Sequence, residues 1–270
     1  MSITTGDLTL DVGFTLGLDL PFDESVAFAA REGFDFVELL LDGPYARERI
    51  EDRVDDMRAT LTEFDRDVVV HLPFAVAPGS PFEPVRRGAV DELTRGMDLA
   101  AEVGAERVVF HPSSDAWEKG WSTTATRAFV HDALDELVPA ARDRGLVPCL
   151  ENVVSSYYDA TTFDELLARY SDAQATFDTS HALLAGQSAS EMGAFLREHA
   201  DRVAHLHLVD TRGDRDEHLP VGMGAIDFER VLAPLAECGW TGTATLEIGT
   251  DDLETIAFGK ANLERVLGVA

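Results

Sequence analysis

Val203-Ala-His-Leu-His-Leu-Val-Asp210 is the stretch from which the fold can be read. Apolar residues alternate in it with two histidines, the period-two pattern of a strand. Side chains two apart on a strand share a face, so His205 and His207 point the same way. If that face lines a barrel, His207 sits at the rim as a metal-ligand type. His205 then lies one layer deeper, as packing or as support for the ligand. Five further segments have the same form: Val68-Val-Val-His-Leu-Pro-Phe74, Arg107-Val-Val-Phe-His-Pro112, Val147-Pro-Cys-Leu-Glu-Asn152, Ala175-Thr-Phe-Asp-Thr-Ser-His181 and Thr243-Ala-Thr-Leu-Glu-Ile-Gly249. Each is a short apolar run that meets His, Asp or Glu at its end. Barrel enzymes carry their chemistry at the C-terminal ends of parallel strands. One such end is most often a hydrogen-bonded core or rim residue. Six in order make a metal-dependent active site the leading reading.

Working outward, eight strands are expected over 10–16, 36–40, 68–71, 107–111, 147–151, 175–178, 203–209 and 243–247, with amphipathic helices between them. Asp23 is expected to cap the first helix and Gly33 to close it. The second helix is expected over 46–64, the fourth over 123–144, and others over 162–169 and 189–200. Residues 72–84 hold four prolines and read as a shaped loop. A second long loop covers 210–226. Eight βα units with no strand left over predict an α/β fold, a single (β/α)8 barrel spanning residues 1–270. The competing open sheet would want a Gly-rich phosphate loop after strand 1, which Gly13 and Gly17 do not supply.

The 270 residues match the ~250 typical of one such barrel. Net charge is -28, from 50 acidic against 22 basic residues, and Lys119 and Lys260 are the only lysines. The acids are spread along the chain and read as a solvated coat of the kind seen in salt-adapted proteins, not as a face for a cationic partner. That balance argues against nucleic acid, which takes a basic footprint. The argument weakens in molar salt, where the Debye length falls to about 3 Å. Cys149 and Cys238 lack metal-type spacing and are expected as reduced core residues. The N-terminus has no secretory pattern and no apolar run spans a membrane, so a soluble, cytoplasmic protein is expected.

Glu151, Asp178, His207 and Glu247 offer three carboxylates and one imidazole, a set suited to Mn2+, Mg2+ or Co2+ with positions left for water or substrate. Counting His71, His111 and His181, together with Asp216 and His218 of the long loop, makes the site rich in histidine. That favours Zn2+ and more than one ion. Three buried carboxylates converging in a lumen would repel one another without a cation. Glu38 reads either as an active-site acid or as an internal ion-pair partner. Trp117 and Trp121 either line a substrate pocket or cap the barrel. His131 and His199 fall on helices and are given no role.

At these residues the chain resembles the xylose isomerase-like barrel superfamily, which holds sugar isomerases and epimerases and also endonuclease IV, an abasic-site DNA repair enzyme. The resemblance covers nearly the whole chain. It rests on His71-Leu-Pro-Phe74, His111-Pro112, Leu150-Glu-Asn152, Phe177-Asp-Thr-Ser-His181, His205-Leu-His-Leu-Val-Asp210, Asp216-Glu-His-Leu-Pro-Val-Gly222 and Leu246-Glu247. In the epimerase branch it implies one ion on Glu151, Asp178, His207 and Glu247, with the two glutamates also acting as acid and base on opposite faces of the substrate. An ion bridging adjacent oxygens would acidify the C–H between them and stabilise an enediolate. His181 would hold a substrate oxygen, and His71, His111, Arg212 and Trp117 are expected to contact substrate as well.

In the endonuclease branch nine zinc ligands would fall on His71, His111, Glu151, Asp178, His181, His207, Asp216, His218 and Glu247, and all nine are present. Three features favour sugar chemistry. The stretch from Val12-Gly-Phe-Thr to Gly33-Phe-Asp-Phe-Val-Glu38 is of the sugar-isomerase type. Arg212 and Arg215 are the only basic residues of the 210–226 loop. Gly222-Met-Gly224 stands where both branches carry Gly-Glu-Gly. The substrate-binding glutamate of keto-sugar 3-epimerases is missing from Val153-Val-Ser-Ser-Tyr-Tyr158, so the substrate itself is open. The expectation is a divalent-metal-dependent sugar or sugar phosphate isomerase or epimerase. It would take a small-molecule substrate, bind no nucleic acid or membrane and, by analogy, form a homo-oligomer. A zinc phosphodiesterase for abasic DNA and a non-catalytic metal- or sugar-binding barrel are the alternatives.

Overall fold

The computed structural model describes residues 3–5, 8–17, 19–155 and 157–269. Its strands are β1 (Ile3–Thr5), β2 (Leu8–Thr15), β3 (Phe36–Leu40), β4 (Asp67–His71), β5 (Arg107–Phe110), β6 (Val147–Glu151), β7 (Gln174–Asp178), β8 (Val203–His207) and β9 (Thr241–Leu246). From β2 to β9 each strand pairs in parallel with the next, and β9 pairs back onto β2 with Gly13 opposite Thr245, which closes an eight-stranded barrel. The strand β1 was not expected. It lies antiparallel along Leu8–Leu10, while β3 joins β2 only at Gly13–Thr15. It therefore covers backbone that would otherwise be an open edge.

The helices are α1 (Phe22–Glu32), α2 (Arg47–Ile50), α3 (Val54–Phe64), α4 (Glu83–Val103), α5 (Thr123–Asp143), α6 (Phe163–Arg169), α7 (Thr179–Leu184), α8 (Ala189–Glu198), α9 (Phe228–Cys238) and α10 (Leu253–Val266). Gly33 closes α1 in the left-handed region at φ 71°, as expected. Asp23 does not cap α1: Pro21 holds the cap position and Asp23 sits in the first turn, where its charge faces the positive end of the helix. The helix expected over 46–64 is broken by a tight 3-10 turn at Glu51–Arg53. The break lets Ile50 turn into the core ahead of Val54 and Met57.

Two apolar cores result. The larger lies between barrel and helices. The smaller is a plug inside the lumen made by Phe36, Val69, Val109 and Cys149. Gly13 makes room for it, since a Cβ there would come within 2.3 Å of the Phe36 ring. Two residues beyond the plug, on the same face of each strand, come Glu38, His71, His111 and Glu151. The same step leads from Thr176 to Asp178, from His205 to His207 and from Thr245 to Glu247.

Cys149 is buried as expected, whereas Cys238, the last residue of α9, is exposed. The strand expected over 203–209 stops at His207 because β7 has already turned into α7 beside it. There the Thr179 hydroxyl replaces the ladder, accepting from Val209 N at 3.0 Å and donating to Val209 O at 2.7 Å.

Candidate metal centre

The ends of β6, β7, β8 and β9 bring Glu151, Asp178, His207 and Glu247 together, with one ligand atom from each lying within 4.8 Å of the others. His207 Nδ1 is 3.4 Å from Glu151 Oε2, 3.9 Å from Asp178 Oδ2 and 3.3 Å from Glu247 Oε2. Among the described residues, this Nδ1 and Asp178 Oδ2 are buried with no hydrogen-bond partner. Buried polar atoms left this way are costly, so two of them aimed at one point mark a place for a cation. Asp178 is oriented by the chain that follows it. Its Oδ1 accepts from His181 N at 2.6 Å and so caps α7, which leaves Oδ2 for the centre.

The electrostatics agree. Burial pushes the Asp178 carboxyl up to about 6, with Glu151 and Glu247 adding to the rise against His181. Burial would lift Glu151 too, but His207 and His111 hold it well below the usual carboxylate range. Burial works against protonating His207, yet Glu151, Glu38 and Glu247 hold it well above the usual imidazole value. The three carboxylates thus draw positive charge onto the imidazole between them. A divalent ion would replace that proton, so the donor set fits one.

His71 and His111 flank Glu151 Oε2 through Nε2, at 3.1 and 3.2 Å. His71 Nδ1 donates to Leu72 O at 2.6 Å. His181 Nδ1 donates to Asn152 O at 2.9 Å and its Nε2 meets Asp216 Oδ2 at 3.1 Å. The same carboxylate oxygen is 3.0 Å from His218 Nε2. Despite its burial His218 is raised to about 9, by Asp216 and Glu247. All nine His, Asp and Glu residues singled out from the sequence therefore fall in one continuous cluster.

Asp216 and His218 reach it because the 210–226 loop is pinned by Asp210. The buried Asp210 carboxylate accepts from the backbone of Thr211, Gly222, Gly224 and Ile226 at 2.7–3.1 Å. A Cβ on Gly224 would come within 2.3 Å of that carboxylate, so glycine is needed there. His218 itself takes a left-handed φ of 49°, costly for a histidine and held by the loop around it.

Below the centre lies a layer that the sequence showed only weakly. Glu38 is fully buried. Its Oε1 is 3.2 Å from His207 Nε2, and its Oε2 is 3.2 Å from His205 Nε2 and accepts from the Thr245 hydroxyl. Of its two readings, the internal ion pair is what the structure shows. The available signal was its place two residues beyond Phe36 on a strand.

The cluster opens into a cavity of about 560 Å³. Thr15, Leu16, Leu40, Phe74 and Ile248 line it along with His71, His111, Glu151, His181, Asp216, His218 and Glu247, and Asp19 and Asp251 stand at its side. Arg212 and Trp117, expected to contact substrate, are not in this lining. Arg212 is bound to Glu217 Oε1 at 2.7 Å and points to solvent. Trp117 is 70% exposed. Trp121 packs edge-on against Phe129 of α5. No helix among the described residues is long and apolar enough to cross a membrane.

Comparison with known proteins agrees with this architecture. An uncharacterized protein of Methanocaldococcus jannaschii is 29% identical over 250 residues, 89% of this chain and 84% of its own length. A protein of Pediococcus pentosaceus named "Probable endonuclease 4" is 28% identical over 203 residues, 68% of this chain and 67% of its own. The crystal structure of a D-tagatose 3-epimerase-like protein matches with a TM-score of 0.83 at 26% identity, over 96% of this chain and 98% of that one. The model of the xylose isomerase-like TIM barrel family matches residues 26–266, and the chain belongs to that family.

Proposed function

We propose that this protein is a divalent-metal-dependent isomerase or epimerase acting on small, uncharged polyhydroxylated carbonyl compounds. The observation that carries the reading is the Glu151–Asp178–His207–Glu247 cluster opening into a cavity of small-molecule size. A divalent ion held by those four residues supplies Lewis acidity to adjacent substrate oxygens. Glu151 and Glu247 are then the proton-moving groups. They are the two cluster members that line the cavity, and their strands β6 and β9 stand three positions apart around the barrel. A substrate between them presents one face to each carboxylate, so one removes the proton beside the carbonyl and the other returns it. His181 and His71, each anchored to a backbone carbonyl through Nδ1, line the cavity with Nε2 against Asp216 and Glu151, so a substrate hydroxyl would bind by joining those pairs. The likeness to a 3-epimerase-like protein supports this class of reaction.

The lining also argues for a neutral substrate. Among the described residues it includes Asp19, Glu151, Asp216, Glu247 and Asp251 and no lysine or arginine. A phosphate group would meet like charge there without a guanidinium or ammonium to pair it. A zinc phosphodiesterase is the second reading, favoured by the convergence of all nine candidate ligands and by the endonuclease 4 relative. The acidic cavity wall counts against a polyanionic substrate.

The test is proton NMR in D2O with the Mg2+-loaded protein and a panel of free ketoses and their phosphates. Solvent deuterium entering beside the carbonyl of a free ketose, and lost with chelator, is the expected result. No exchange across the panel, together with metal-dependent cleavage of an abasic-site oligonucleotide, would transfer the assignment to the second reading.

A further inference from the structure

A line of polar groups runs down the lumen from the metal centre to the opposite end of the barrel. Arg107, on the first turn of β5, places Nη1 2.7 Å from Thr243 Oγ1. Thr243 Oγ1 lies 2.6 Å from His205 Nδ1. His205 Nε2 lies 3.2 Å from Glu38 Oε2, and Glu38 Oε1 lies 3.2 Å from His207 Nε2. His205, Glu38, His207 and Thr245 are fully buried, so water does not interrupt the order.

The direction of these bonds follows from the end members. A guanidinium only donates, so Thr243 Oγ1 accepts from Arg107. Its own hydrogen has two acceptors in reach, Ala204 O at 3.4 Å and His205 Nδ1 at 2.6 Å. The shorter contact takes it, so the His205 proton belongs on Nε2, where it is donated to Glu38. Thr245 also donates to that Glu38 oxygen. Glu38 Oε1 and His207 Nε2 stand 3.2 Å apart without the alignment of a hydrogen bond. A carboxylate only accepts, so a proton between them belongs to His207 Nε2. With Nε2 keeping its proton, Nδ1, facing Glu151, Asp178 and Glu247, is the atom that gives up its proton and turns a lone pair to an ion. Glu38 is not in the cavity lining and cannot touch a substrate.

We infer that Glu38 is a positioning residue for the metal centre, holding the His207 ring and its Nε2 proton so that Nδ1 is the ligand atom, with the proton order set from the far end of the barrel by Arg107, Thr243 and His205. This rests on the metal reading above. Outer carboxylates of this kind typically contribute about 10- to 100-fold to metal affinity.

Two measurements test it. Long-range 15N–1H NMR of the metal-free native chain is expected to show His205 protonated on Nε2; protonation on Nδ1 would overturn the proposed order whatever the centre binds. Mn2+ titration followed by electron paramagnetic resonance is expected to show Glu38→Gln binding about 10- to 100-fold more weakly than the native chain, with metal-free melting little changed. Unchanged Mn2+ affinity in a folded Glu38→Gln variant overturns the positioning role. Thr243→Val, remote from the cavity, carries the same test should Glu38→Gln not fold: a severalfold loss is expected, and none overturns it. A native chain that does not bind Mn2+ removes the metal reading and the role of Glu38 with it, while the His205 result still stands on its own.

Discussion

The two levels of the barrel lumen differ by a step of two residues. At the lower level Phe36, Val69, Val109 and Cys149 pack as a dry plug. Two residues further on, the same strands present His71, His111 and Glu151 at the centre and Glu38 just beneath it, all but His111 buried. The lower level stabilises: fully buried side chains of this size each contribute on the order of 1.5–3 kcal/mol. The upper level works the other way, because desolvated carboxylates and imidazoles are repaid only by close pairing or by a cation. The comparison teaches that stability and chemistry are carried by different side chains of the same strands, which meet where the Phe36 ring packs against His205 with 6.1 Å between ring centres.

Substitutions can break that separation in either direction. The largest effect is expected from Glu151→Gln, which removes both a proposed ligand and a proposed proton-moving group. Deuterium exchange into substrate should fall by about 100- to 10,000-fold while the melting temperature stays near native. Wild-type exchange would sink the assigned role. Phe36→Ala should do the reverse. It empties the plug and should cost about 3–5 kcal/mol in chemical denaturation, with exchange per folded molecule largely retained. Loss of exchange in the folded fraction would show that plug and centre are coupled.

Metal removal lies between these. Addition of Mn2+ at 100 times its dissociation constant should stabilise the chain by about 2.7 kcal/mol, and chelator should reverse this. Phe36→Ala should keep the increment and Asp178→Asn should lose it, which differential scanning calorimetry can read. The smallest effects are expected from Arg212→Ala and Trp117→Ala. Both residues lie outside the cavity lining, so exchange rates should change by less than about twofold, in keeping with the small effects usual for exposed positions. A tenfold loss in either would mean that the loops close over the substrate.

Much of this could be read from residue order. Apolar runs ending in His, Asp or Glu placed six of the eight barrel strands or their immediate ends, because a strand's period of two and its terminal residue are local properties. The strand β1 is too short to carry a pattern, and α7 is a single capped turn rather than an amphipathic helix, so neither was visible. Trp117 and Arg212 illustrate a different limit. Their residue types suit substrate binding, but a loop's direction depends on contacts such as Arg212 with Glu217.

The eight βα units, the plug-to-rim step and the candidate ligands at the strand ends, His71, His111, Glu151, Asp178, His207 and Glu247, are contained in the order of the residues, since backbone periodicity alone puts them on one face. Tertiary structure decided that Asp210 would draw Asp216 and His218 over the centre, that Glu38 would lie beneath His207, and that the cavity wall would be acidic. Those outcomes depend on groups 12 to 207 residues apart in the chain meeting across the barrel, from Gly222 on Asp210 to Thr245 on Glu38. No local pattern encodes such a meeting.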